Sequence, residues 1–271
     1  MNLIGILART FLGLAPAPAP SPARHVMTSV PLLMAPGATA LPADGVVDQV
    51  QKFYASINQV TAQFRQNVTY ETFGSTKQSD GKLWIQKPGK MRWDYYEKKK
   101  DKVDPKKETV EVKKSFISNG SYLYMVEHDN KQVTKKNLQN DLMPVAVSFL
   151  YGKGDLKAEF SAEIDKTGKY GTKDDVVLRL TPKKPSAQYK NLFLVVSTTD
   201  YHVTQSVIID SSNNINHFRF YAPDFKAPIK ASSFEFDERS VKNYRVVDAD
   251  QIQQDGAGSG SAATAPAPKK P

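Results

Sequence analysis

The sequence predicts an α+β, mostly β fold laid out as an antiparallel meander, and three observations predict it. Apolar residues recur first at helical and then at period-two spacing. Turn signals separate one strand-like run from the next, and no long crossover helix intervenes. The expected architecture is a large curved sheet or an unclosed antiparallel β-barrel of about ten or eleven strands, with two or three short helices over its open side.

Val46, Val50, Phe53 and Ile57 lie on one helical face, with Asp44 as its expected N-cap. From Val60 the period becomes two: Val60, Ala62, Phe64, Gln66, Val68 and Tyr70 share one face and Thr61, Gln63, Arg65, Asn67 and Thr69 the other. Ser79-Asp80-Gly81 is expected to turn into a strand at Lys82–Lys87, and Pro88-Gly89 into one at Lys90–Glu97. Asn119-Gly120 divides Glu111–Ser118 from Ser121–Glu127, a strong two-residue hairpin signal. His128-Asp129-Asn130 then turns into Lys131–Lys135. Further strands are expected at Lys157–Ile164, Val176–Pro182, Leu192–Ser197, Val203–Asp210, Ile215–Tyr221 and Ser232–Phe236. Leu142, Val145, Ala146, Phe149 and Leu150 form an apolar helical face that Gly152 ends, and a short turn is expected at Pro185–Lys190.

The chain has 271 residues and divides into a leader over 1–40, one folded domain over 41–250 and a Gly/Ser/Ala/Pro-rich tail over 251–271 expected to be disordered. In the leader, Arg24 and His25 precede the apolar stretch Val26–Pro36 and the small residues Ala38-Thr39-Ala40, which is the order of an export signal. Cysteine is absent, which excludes disulfides, thiolate metal sites, a cysteine nucleophile and a lipid-modified N-terminal Cys. The net charge is +9, and much of the excess sits in Glu97–Lys114, where lysines alternate with Asp101, Asp104, Glu108 and Glu111. Such a mixed run suits a solvated hairpin tip, or a contact with a membrane or transporter surface.

Little points to catalysis. His25, His128, His202 and His217 are scattered without a second ligand at metal spacing. The chain lacks a nucleophile elbow, a P-loop and a dinucleotide fingerprint. We expect neither an enzyme nor a cofactor. More telling are strands apolar on both faces, such as Leu83-Trp84-Ile85, Tyr122-Leu123-Tyr124-Met125-Val126 and Leu192-Phe193-Leu194-Val195-Val196. Either the chain covers both faces of its own sheet, or a half-filled apolar concavity takes lipid tails.

The stretch Ser79-Asp80-Gly81-Lys82-Leu83-Trp84-Ile85-Gln86-Lys87-Pro88-Gly89-Lys90-Met91-Arg92-Trp93-Asp94-Tyr95 resembles the signature of the LolA-type periplasmic carrier family. Phe64-Arg65-Gln66, Ser118-Asn119-Gly120, Phe149-Leu150-Tyr151-Gly152 and Leu180-Thr181-Pro182-Lys183 agree with it in order, over about residues 46–237. The resemblance implies an unclosed barrel whose helices form a lid over an apolar cavity. It further implies a monomeric periplasmic carrier that takes lipoproteins from an inner-membrane ABC transporter to the outer membrane, with an outer-membrane receptor as a further possible partner. A sensor or a carrier of another lipid on the same fold is the alternative. The implied lipid contacts are Val50, Phe53, Phe64, Leu83, Ile85, Met91, Trp93, Phe116, Leu123, Met125, Val145, Phe149 and Leu150. Lys87 stands where the family usually has an Arg that latches the lid, and Arg92 is a second candidate latch.

Overall fold

The computed structural model describes residues 41–100, 108–138, 155–186 and 189–251. The leader, the apolar helix expected around Val145, Phe149 and Leu150, the tip of the lysine-rich hairpin and the tail from residue 252 lie outside them.

Among the described residues a single sheet of twelve strands runs in the order β12-β6-β5-β4-β3-β2-β1-β11-β10-β9-β8-β7. The strands are β1 (Gln59–Tyr70), β2 (Ser75–Gln86), β3 (Lys90–Lys100), β4 (Glu108–Asn119), β5 (Tyr122–Glu127), β6 (Gln132–Asn137), β7 (Phe160–Ile164), β8 (Asp175–Pro182), β9 (Asn191–Ser197), β10 (Val203–Ile209), β11 (Ile215–Asp224) and β12 (Arg245–Asp248). β7 and β12 end the sheet without pairing to each other, so it is unclosed. Neighbours pair antiparallel except β12, which lies parallel to β6. The meander predicted from sequence is therefore present, with β12 unexpected and the strand expected at Ser232–Phe236 missing. β12 has only four residues, two of them valines, too few for a period to show.

Helix α1 (Ala43–Ser56) turns Val46, Val47, Val50 and Tyr54 onto the sheet, a spacing that keeps them on one stripe. They pack with Leu178, Leu180, Leu192 and Leu194. We call the sheet face carrying α1 the inner face. The helix begins after Pro42 without a side-chain cap bond, and Asp44 lies inside its first turn rather than capping it. The Tyr54 hydroxyl accepts a hydrogen bond from the Val203 amide at 3.1 Å, which fixes the far end of the helix to β10. Asp155 accepts from the amides of Lys157 and Ala158 and so caps the single turn α2 (Leu156–Glu159). That cap delays the strand expected from Lys157 until Phe160.

Two further expectations are corrected. Ser79-Asp80-Gly81 is no turn but the middle of β2, where Gly81 pairs with Tyr95 and lies under the Phe64 ring. A β-carbon there would stand 2.4 Å from Phe64 Cζ and 2.2 Å from the Asp94 carbonyl, so the glycine serves close approach, not chain reversal. Ser232–Phe236 holds a 3-10 turn (Ala231–Phe234), not a strand, and Phe234 is wholly buried. The Asn119-Gly120 reversal stands as expected: Gly120 has φ 98°, and Asn119 Oδ1 accepts from the amides of Ser121 and Tyr122.

The two-faced strands now have a cause. Beyond β11 the chain crosses the outer face, and Val241 joins Ile117, Val126 and Val133 there, with Phe236 stacked on Tyr124 at 4.9 Å. At the other end of the sheet, Tyr170 lies against Phe193 and His217. Segments outside the α-helices, including the 3-10 turns Ala231–Phe234 and Glu238–Val241, thus supply the outer cover.

Candidate functional site

The inner face is apolar over two unequal halves. Under α1 it is aliphatic, with Leu156, Leu178, Leu180, Leu192, Leu194 and Val196. Over β1–β5 and β11 it is aromatic. Register builds this second half row by row, because residues opposite each other in a ladder point the same way. Val60, Ile85 and Met91 form one row; Ala62, Leu83, Trp93, Phe116 and Met125 the next; Phe220, Phe64, Gly81 and Tyr95 the third.

The structure brings most of the sequence-named sheet residues together. Phe64, Leu83, Ile85, Met91, Trp93, Phe116 and Leu123 are buried in one cluster, with Met125 half-buried at its margin. Phe64 lies 5.1 Å from Trp93 and 4.9 Å from Tyr95, and Trp93 meets Phe218 edge-on at 5.5 Å. Val50 is buried in the aliphatic half instead, and Phe53 packs against that half and against Phe225 at 5.0 Å. Phe220 touches both halves. Val145, Phe149 and Leu150 lie outside the described residues. The sequence reading missed Tyr95, which has the parity of Met91 and Trp93, and that signal was available. It also missed Phe218 and Phe220, which join through the pairing of β1 with the distant β11.

Lys87 and Arg92 are not brought together. Lys87, on the turn between β2 and β3, donates to the carbonyls of Tyr54 and, at 3.4 Å, Ala55. It thereby ties the sheet to the last turn of α1, which carries no basic residue of its own. A cation there meets the negative end of the helix dipole. Burial lowers the Lys87 ammonium from its ordinary value. Arg92 lies one residue out of phase, on the outer face. Its Nε donates to both oxygens of the buried Asp94 at 2.9 Å, and Nη1 reaches the Ser233 carbonyl at 3.5 Å. Strand alternation therefore makes Arg92 a tie for the outer strap, and its expected share in a latch with Lys87 is corrected.

The inner face turns polar away from the Lys87 turn. Lys114 stands opposite Tyr95 and forms an ion pair with Glu127 at 2.6 Å, both side chains largely buried. Burial outweighs that carboxylate and lowers the Lys114 ammonium. Gln66 donates to Asn216 Oδ1 at 2.8 Å, and both are buried. An extended apolar face with one polar end is suited to an amphiphile held by its tails.

The model of the family described as "Outer membrane lipoprotein carrier protein LolA" matches residues 55–237. An outer-membrane lipoprotein carrier protein from Bordetella avium is 28% identical over 49% of this chain and 57% of that one, so the chain spans just over half of that relative. One of the same description from Cupriavidus pinatubonensis is 25% identical over 73% of this chain and 85% of that one. Among solved structures, a LolA superfamily protein from Nitrosomonas europaea superposes with TM-score 0.37 at 9% identity, covering 73% of this chain and 99% of that chain. With the family model matching well over half of its length, the chain belongs to the LolA family of outer membrane lipoprotein carrier proteins.

Proposed function

We propose that this chain is a periplasmic carrier that shields the acyl chains of lipoproteins on its inner face, taking them from an inner-membrane ABC transporter and delivering them to the outer membrane. The observation that carries the reading is the cluster of Phe64, Leu83, Trp93, Phe116 and Phe218 on the face shared with α1. Each acyl methylene removed from water is worth ~0.8 kcal/mol, so several chains would cost tens of kcal/mol to expose during transit. A carrier is needed, and it must also let go.

Release follows if closure of the protein's own elements competes with the ligand for one apolar face. Lys87 supports this, because it ties α1 to the sheet through two carbonyl contacts that a movement of the helix would break. Such a tie is worth about 1 kcal/mol. That is enough to bias two states and small enough for acyl burial to overcome.

The test is release. Inner-membrane vesicles loaded with lipoprotein are incubated with ATP and the purified protein, and the supernatant is searched for a carrier–lipoprotein complex. A soluble one-to-one complex is the expected result. Retention of the lipoprotein on the vesicles, while the protein binds other lipids, overturns the reading.

A further inference from the structure

Among the described residues the buried Tyr95 hydroxyl has no hydrogen-bond partner, although the residue is only 2% exposed. Leaving a buried hydroxyl unpaired costs free energy that a phenylalanine would not incur, so its presence asks for a cause. Its ring is fixed edge-on between Phe64 at 4.9 Å and Phe116 at 5.8 Å, on the inner face. Across the ladder stands Lys114, already paired with Glu127 at 2.6 Å. The pair is close to neutral as a unit, so the locality offers hydrogen-bonding groups without a strong net charge.

We propose that Tyr95, beside the Lys114–Glu127 pair, donates its hydroxyl proton to one ester or amide carbonyl that joins an acyl chain to the head of the ligand, while the chains lie along Leu83, Trp93 and Phe116. The inference rests on the carrier reading and deepens it, by naming the acyl linkage as the part recognised through polar contact. The chemistry selects this group. A phenol donates one hydrogen bond, and an acyl carbonyl sunk into an aromatic face needs one donor. A pure hydrocarbon leaves the hydroxyl unpaired. A free carboxylate would have to be buried as a charge, and a pair already neutral as a unit offers it no net counter-charge. The carbonyl also sets direction, because it joins the polar row while the tails run toward Met91 and Ile85, two rows away.

The experiment compares the parent with Tyr95→Phe, using dioctanoylglycerol and hexadecane as ligands and displacement of a fluorescent naphthylamine as the readout. The substitution is expected to weaken dioctanoylglycerol about three- to ten-fold and to leave hexadecane unchanged. The melting temperature of the free protein should stay level or rise, since an unpaired buried hydroxyl has been removed. A purely structural tyrosine would lower that temperature instead, and this result overturns the proposal. Equal effects on both ligands, or no effect on either, also overturn it while the carrier reading stands. If the parent binds neither ligand, the carrier reading itself falls and takes the proposal with it.

Discussion

Replacing Gly81 by alanine places one methyl group where the structure has no room for it. The added carbon would stand 2.2 Å from the Asp94 carbonyl oxygen and 2.4 and 2.6 Å from two carbons of the Phe64 ring. Neither neighbour yields easily. The carbonyl belongs to the backbone of β3, and Phe64 is enclosed by Trp93, Tyr95 and Phe218 with centroids 4.9 to 5.9 Å away. Overpacking of this kind costs about 1–3 kcal/mol, and a backbone clash added to a ring clash puts Gly81→Ala near the top of that range. For a domain of this size each kcal/mol lowers Tm by roughly 2–4 °C, so a drop of about 6–12 °C is expected. Thermal melts followed by far-UV circular dichroism measure it. Asp80→Ala, one residue away on the outer face, is the control. It removes an exposed pair with Arg65 at 2.7 Å and should cost no more than about 1 kcal/mol. If Gly81→Ala melts within two degrees of Asp80→Ala, the close approach of Phe64 to β2 is refuted.

Three further perturbations test separate parts of the molecule. Lys87→Met should cost about 1 kcal/mol and increase uptake of a fluorescent apolar probe, with Lys87→Arg restoring both; unchanged uptake counts against a tie that restrains α1. Arg92→Ala leaves the buried Asp94 carboxylate with the Ser115 hydroxyl but without its cation, costs about 2–3 kcal/mol and makes residues 225–247 more sensitive to limited proteolysis. Its probe binding should match the parent, since the residue is on the outer face; lost binding with an intact strap contradicts the placement. His217 lies under Tyr170 with Nε2 2.8 Å from Gln205 Oε1, and burial, with Arg219 nearby, lowers its pKa from 6.5 to about 4. The unfolded chain then binds a proton that the folded one refuses, so stability falls as pH drops from 6.5 to 4. The ceiling is about 3 kcal/mol, and partial solvent screening brings the expected loss to about 2 kcal/mol. Tm measured across that window should slope less in His217→Gln, and equal slopes would show that another group is responsible.

Much of the site was legible because a strand's period of two is simple. In β1, Val60, Ala62, Phe64, Gln66 and Val68 are all buried, as alternation required. The same parity gathered Leu83, Ile85, Met91 and Trp93. It also set Arg92 on the face opposite Met91 and Trp93. Gly81 misled because a glycine after Ser-Asp has the local appearance of a turn, whereas its reason is an aromatic ring contributed by the neighbouring strand. Lys87 was singled out by its position, yet its partners are helix carbonyls that no side-chain pattern announces.

The amino-acid sequence by itself determined a strand-rich chain with an amphipathic first helix, a hairpin at Asn119-Gly120 and a set of apolar residues sharing one parity. These are local properties, set by backbone sterics and by the geometry of a single strand or helix. Tertiary structure alone decided that β1 joins β11 across the chain and so adds Phe218 and Phe220 to Phe64. It also decided that the chain after β11 straps the outer face, and that Tyr95 is buried with its hydroxyl unpaired among the described residues. Those outcomes depend on which distant segments meet. That is settled by total burial over the whole sheet, not by any window of sequence.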